Sequence, residues 1–226
     1  MVKPGVVNRI IELRQTLKRC APVIHKHLLL EGFSVSLSSV ERTLRRCDLV
    51  RKKRQASWYT PLPRPASDAP GSLVQMDTIH FIKPDRSRFY IYALIDTYSR
   101  LAYALYCPKL SQMTSVQVVL TAQGYFGFPF KMVQTDNGPE FQHGFLTNLG
   151  RHRINLRHSR VRKPNDNAHI ERFNRTIQEE CFGGFLPHEE TIEQQLQDYI
   201  AYYNHDRLHL SLDLQTPTQF VAKVLT

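Results

Sequence analysis

Apolar positions in the first 57 residues recur at helical spacing. Ile10, Leu13 and Leu17 line one face of VNRIIELRQTLKR, and Val23, Ile24, His27 and Leu28 line one face of PVIHKHLLLEG, which Gly32 stops. A third helix is expected next, with Val40 and Leu44 inward and a capping box of Ser38 and Glu41 at its start. Residues 55–71 hold four prolines and little periodicity, as a semi-rigid linker would. Beyond it the period changes to that of strands. Residues 73–81, 89–95 and 101–107 are β-rich runs, the last two joined by the turn Asp96-Thr97-Tyr98-Ser99-Arg100. A helix fits residues 111–123, with Met113, Val116, Val119 and Leu120 inward. A strand over 131–135 then ends at Asp136-Asn137-Gly138-Pro139, and a helix carries Phe141, Phe145, Leu146 and Leu149. A fifth strand over 155–159, a helix over 168–181 and an amphipathic helix over 193–203 complete the order. An antiparallel start followed by alternating units predicts a mixed α/β sheet covered by helices.

Charge sharpens the division. The 226 residues carry 30 Lys+Arg against 20 Asp+Glu, a formal charge of +10. Residues 1–57 hold 13 of those cations and 4 of the anions, so nearly all the excess sits in the small helical segment. Such a concentration points to a polyanionic partner. Helix, turn and a capped helix with Arg42, Arg45 and Arg46 along it match a helix-turn-helix, with the basic run Arg51, Lys52, Lys53 and Arg54 directly after. An ordinary three-helix bundle with a charged outer face is the plainer reading of the same periodicity. No apolar run of about 18 residues is present and the first residues lack an apolar leader core, so neither a membrane span nor a secretory signal is expected. The four cysteines form no C-x-x-C pair, which fits a reducing compartment.

Three acids stand out by position. Asp77 lies inside the first strand, where a charge needs a partner or a solvated site. Asp136 ends the fourth strand, and strand C-termini are where open α/β sheets place their sites. Glu171 sits in the first turn of the 168–181 helix, with 34 residues between it and Asp136. Together they could hold hard divalent cations, which take oxygen ligands and serve phosphodiester chemistry. Singly, each has a structural reading: an edge-strand charge for Asp77, a helix cap for Asp136, an i,i+4 partner of Arg175 for Glu171.

The segment TDNGPEF, followed by Glu171 in NDNAHIERFNRTIQEE, resembles the integrase core of bacterial insertion-sequence transposases, a superfamily that includes retroviral integrases. MDTIHF and YALIDTYSR resemble its first catalytic strand and following hairpin. YIAYYNHDRLHLSLDLQTPTQF resembles its C-terminal helix and tail, with Tyr-Asn, Arg-x-His and Thr-Pro in order. The resemblance covers about residues 72–226 and implies an RNase H-like mixed sheet with flanking helices, preceded by a small all-α helix-turn-helix domain. Domains are therefore expected at 1–56 and 72–226, with a linker at 57–71. The resemblance further implies that Asp77, Asp136 and Glu171 are catalytic and metal-ligating. The cofactor would be two Mg²⁺ (or Mn²⁺) ions, and the reaction DNA cleavage followed by strand transfer. Element ends and target DNA are the implied partners, bound by a homo-oligomer in the cytoplasm with the nucleoid. A catalytically inactive DNA-binding regulator and a nuclease without strand transfer are the alternatives.

Other residues enter with narrower roles. Arg160, Arg162 and Lys163 form a basic rim suited to phosphate positioning. Asn167, on the face of Glu171, would contact substrate phosphate or cap its helix. Asp96 is expected to cap its turn. Retroviral integrases have a zinc-binding N-terminal domain, but Cys47 is not part of the C-x-x-C such a site requires, so zinc is not expected.

Overall fold

A computed structural model describes residues 3–50, 66–159 and 164–225. The chain divides into two compact units, Met1–Thr60 with Leu208–Gln215, and Pro61–Arg207 with Thr216–Thr226. Most of the expected linker and the basic residues Arg51, Lys52, Lys53, Arg54, Arg160, Arg162 and Lys163 lie outside the described residues.

In the first unit, α1 (Pro4–Leu17), α2 (Ala21–Leu30) and α3 (Leu37–Arg46) each follow the expected apolar stripe. Proline in the first turn of α1 and of α2 suits helix starts, where its missing N–H leaves nothing unpaired. Ile10, Leu13, Ile24, Leu28, Val40 and Leu44 close a small core. One detail of the sequence reading is corrected. The N-cap of α3 is Ser36, whose hydroxyl accepts the Ser39 N–H at 3.3 Å, and Ser38 is already helical. Ser36 has the extended backbone that a cap needs, so the helix starts two residues early and Glu41 takes no part in a capping box. Arg42, Arg45 and Arg46 remain exposed on α3.

The second unit contains a five-stranded sheet in the order β3-β2-β1-β4-β5. Its strands are β1 (Val74–Ile82), β2 (Arg88–Asp96), β3 (Ala102–Cys107), β4 (Met132–Thr135) and β5 (Asn155–His158). The first three form an antiparallel meander, and β4 and β5 run parallel to β1. Helices α4 (Gln112–Phe126) and α5 (His143–Arg151) belong to one face, and α6 (Ala168–Thr176) and α7 (Glu189–His205) to the other. The period-2 alternation of β1 divides its side chains accordingly. Val74 and Met76 join Val119, Phe145 and Leu149, while Ile79 joins Ile170, Phe173 and Leu196. Burying a side chain such as Phe145 or Phe173 contributes roughly 1.5–3 kcal/mol each. This is the RNase H-like sandwich of helices on a mixed sheet.

Four boundaries differ from the sequence reading. Met113 is exposed, because the buried face of α4 runs through Ser115, Val119, Ala122 and Phe126, and Met113 falls on its first-turn rim. The α-helical part of the Glu171 helix stops at Thr176 and continues as a π-turn over Ile177–Cys181. A short helix, α8 (Pro217–Leu225), follows the tail. Gly71, the last residue of the expected linker, is buried in the folded unit. Gly71 adopts φ 76°, its carbonyl accepts the Lys131 N–H at 2.8 Å, and any side chain there would run into the Pro129 carbonyl.

The tail motifs have structural work. Asn204 is buried and pairs with the backbone of Ala102, accepting its N–H at 2.9 Å and donating to its carbonyl at 2.8 Å. It thereby satisfies Ala102 on the outer edge of β3, which has no neighbouring strand among the described residues. The Arg207 guanidinium forks onto both oxygens of Glu180 at 2.9 and 2.8 Å and lies 5.2 Å over the Tyr203 ring. Tyr199 and Tyr203 are buried against the sheet, whereas Tyr202 is exposed.

Asp96 is fully buried and closes the β2–β3 turn. Its carboxylate accepts the Ser99 N–H at 2.8 Å, the Ser99 hydroxyl at 2.6 Å and the Gly71 N–H at 3.1 Å. Both oxygens are needed as acceptors, so an amide cannot serve. Asp96→Asn is expected to lose about 1–3 kcal/mol in a denaturant melt. If instead its stability is unchanged and DNA cleavage is lost, Asp96 belongs to the reacting groups.

Candidate active site

The sheet's parallel step builds the site. Gln75 of β1 is the register partner of Gln134 of β4, so Asp77, two residues on, stands beside the end of β4, where Asp136 follows Thr135. Helix α6 packs against β1 and β2 and carries Glu171 in its first turn. Asn174, one turn later on the same helix face, donates from Nδ2 to Asp77 Oδ2 at 2.8 Å. The other Asp77 oxygen accepts the Thr78 N–H at 2.8 Å. Asp77 is half-buried, and Asp136 and Glu171 are exposed.

Electrostatics tie these acids together. Burial, followed by the charges of Asp136, Glu140 and Glu171, pushes the Asp77 carboxyl up to about 6, against the Thr78 N–H bond that favours its anion. Asp136 and Glu171, the other two acids singled out in the sequence, therefore both act on Asp77 in the fold. Glu171 has no ion pair with Arg175 among the described residues, and Asp136 uses one oxygen to accept the Gly138 N–H at 2.9 Å in a turn.

Glu140 is a fourth acid, which the sequence reading left without a role. It is buried, and its Oε1 accepts the Thr78 hydroxyl at 2.9 Å. A Cβ added to Gly138 would lie 2.6 Å from Glu140 Oε2 and 3.0 Å from Asp136 Oδ1, so glycine keeps the space between these two acids open. Its place in TDNGPEF, four residues beyond Asp136, was the available signal, but burial of a glutamate is not legible in spacing. Asn167 neither caps α6 nor stands free for a phosphate. It is buried, with Oδ1 accepting from Gln134 at 2.8 Å and Nδ2 donating to Ser159 Oγ at 3.2 Å.

Among the described residues no three acidic, histidine or cysteine side chains are gathered closely enough to grip a metal ion. The chemistry of the donors nevertheless fits a hard divalent cation. Carboxylates surround Asp77, and beside it Asn174 Oδ1 is a buried oxygen without a partner.

Comparison with known proteins bears on the family and the fold. Two family models, both described as integrase core domain, match residues 67–164 and 152–217. The chain belongs to the integrase core family. This integrase core protein is 30% identical to the insertion element IS476 uncharacterized 39.2 kDa protein of Xanthomonas euvesicatoria, over 96% of the chain and 65% of that protein. It is also 30% identical to a putative integrase of Spiroplasma virus SpV1-C74, over 66% of the chain and 47% of that protein. The integrase core chain thus spans about half to two thirds of the length of these two relatives. Among solved structures it is similar to the simian T-cell lymphotropic virus intasome, with a TM-score of 0.62 at 17% identity over 94% of the chain and 74% of the other. The HTLV-2 integrase catalytic core, solved with magnesium, gives 0.55 at 18% identity over 68% and 97%. These two likenesses show the shared fold.

The raised Asp77 has a consequence for stability. Its folded value lies above the ordinary carboxylate range, so protonation favours the folded state. That contribution is full below about pH 4 and is lost as pH rises through about 6, on the order of 3 kcal/mol. Without divalent ions, melts of the wild type are expected to weaken across this window, and Asp77→Asn to flatten the dependence. A wild-type profile that is flat from pH 4 to 6.5 contradicts the crowding of carboxylates around Asp77.

Proposed function

We propose that this protein is a transposase that cleaves a DNA strand at the end of an insertion element and joins the freed 3′-OH to target DNA. The reading rests above all on the geometry that sets Asp77 in β1 beside Asp136 at the end of β4, with Glu171 in the first turn of α6 and both acids acting on the Asp77 carboxyl. Asp77, Asp136 and Glu171 would hold Mg²⁺ or Mn²⁺, two ions in the full site. Such cations supply Lewis acidity for the attacking and the leaving oxygen of a phosphodiester. Thr78 and Asn174 fix the two Asp77 oxygens, so that this carboxylate meets its partners already oriented. The magnesium of the HTLV-2 integrase core structure supports the choice of cation.

DNA is the partner, and α3, with Arg42, Arg45 and Arg46 exposed, is the groove-facing helix of a helix-turn-helix. Arg51, Lys52, Lys53 and Arg54 extend its phosphate contacts, and Arg160, Arg162 and Lys163 position phosphate near the acids. The protein acts as a homo-oligomer on DNA, in keeping with the intasome and the trimeric core among its structural neighbours. No helix among the described residues is long and apolar enough to cross a membrane. We place the protein in the cytoplasm with the nucleoid.

The test is incubation with labelled DNA carrying the flanking repeats and Mn²⁺, scored for nicks and for joined products. Both products are expected. Nicks alone make the protein a nuclease of the same fold, and neither product makes it a regulator that kept the fold without the chemistry.

A further inference from the structure

The element that carries Glu171 is held by two glutamines whose placement points to a positioning role. Gln75 and Gln134 are register partners on adjacent parallel strands, and their side chains leave the sheet on the same face. Both are buried, at 3% and 0% exposed. Both Nε2 groups donate to one acceptor, the Asp166 carbonyl just ahead of α6, each at 2.6 Å. Gln75 Oε1 then accepts the Ile170 N–H at 3.0 Å, one of the first-turn amides that a helix leaves unpaired. The side chain of Asn167, the N-cap residue, makes no cap bond, so this first-turn amide is satisfied from β1. Gln134 Oε1 accepts from Arg157 of β5, whose other nitrogen pairs with Asp166 Oδ2 at 3.3 Å, and Gln134 Nε2 also holds Asn167.

The spacing makes this more than a buried polar network. Each glutamine lies two residues before a site acid on its own strand or strand end, hence on the same face and about 6–7 Å along. The amide that Gln75 binds belongs to the residue immediately before Glu171. We propose that Gln75 and Gln134 form a clamp that transfers the register of β1 and β4 to α6, and so sets where Glu171 stands relative to Asp77 and Asp136. The clamp's effect on metal affinity rests on the reading of the site given above. Its bond to Ile170 does not.

Gln75→Leu is the cleanest variant. It preserves volume, and the Asp166 carbonyl keeps its bond from Gln134, so no buried carbonyl is orphaned. In the full-length protein, amide hydrogen exchange at Ile170 is expected to accelerate while β1 amides stay protected. Mn²⁺ affinity, read as free Mn²⁺ by electron paramagnetic resonance, should fall about 10–100-fold in a protein that stays folded, its thermal midpoint lowered only by the one Ile170 N–H left unpaired. Gln134→Leu should weaken Mn²⁺ binding too, and the double variant more than additively, because only the double variant removes both bonds to the Asp166 carbonyl. If Gln134→Leu does not fold, Gln75→Leu decides alone. Unchanged exchange at Ile170, or faster exchange with wild-type Mn²⁺ affinity, overturns the clamp as a positioning device. A wild-type protein that binds no Mn²⁺ and makes no nicks overturns the reading of the site instead, and exchange at Ile170 still decides whether the clamp exists.

Discussion

Asp77→Asn, Asp136→Asn and Glu171→Gln are each expected to reduce Mn²⁺-dependent cleavage of element-end DNA to a few per cent of wild type or less, with the fold retained. Each substitution keeps side-chain shape and removes one negative charge from an all-oxygen site, and hard cations depend on that charge. The three differ in stability, which makes the set diagnostic. Glu171 and Asp136 are exposed, so their amides should melt within about 0.5 kcal/mol of wild type. Asp77 accepts from both Thr78 and Asn174, so its amide gives up one of two bonds but also sheds the buried charge, and its melts should lose the pH dependence of the wild type between about pH 4 and 6. A well-folded variant that keeps more than a few per cent of activity removes that residue from the metal ligands. Loss of secondary structure in any of the three would assign that acid to the fold instead.

Replacing Arg42, Arg45 and Arg46 together by glutamine weakens DNA binding strongly and flattens its salt dependence. Each phosphate that a cation no longer neutralises lowers the slope of log K against log salt by roughly 0.9, so three arginines account for roughly 2–3. All three side chains are exposed on α3, outside the core of Ile10, Ile24, Val40 and Leu44, so folding should be untouched. The carboxylates lie in the other unit, and slow nicking of DNA in Mn²⁺ should survive. Titrations at several salt concentrations decide the matter. An unchanged slope removes α3 as the groove-facing helix and leaves the first unit an ordinary three-helix bundle.

The basis of these predictions was unevenly visible in the chain. The order of strands and helices was legible because alternation in β1 to β3 and the stripes of α4 to α7 are local patterns. Asp77, Asp136 and Glu171 were singled out by position, within a strand, at a strand end and in a helix's first turn, and the resemblance to an integrase core joined them into one candidate site. Glu140 was not, since nothing in TDNGPEF tells that its carboxylate turns inward to the Thr78 hydroxyl. Asn167 was read as a phosphate contact or a helix cap because it shares a helical face with Glu171, yet Gln134, distant in sequence, draws its side chain inward. The cap of α3 was misplaced by two residues, because SVSLSS offers several serines and only the backbone at Ser36 chooses among them.

Composition and periodicity by themselves determined that the protein has a basic helical segment and an α/β segment, and which acids could do chemistry. Those properties belong to short stretches of chain, where 3.6- and 2-residue periods and single charges can be read directly. Only the tertiary structure decided that β4 lies parallel to β1 in a register that sets Gln75 against Gln134, and that α6 is capped from the sheet. It also decided that burial and neighbouring charges converge on Asp77. Hydrogen bonds between residues about 90 positions apart, and the desolvation of a carboxylate, come into being only when the chain closes on itself.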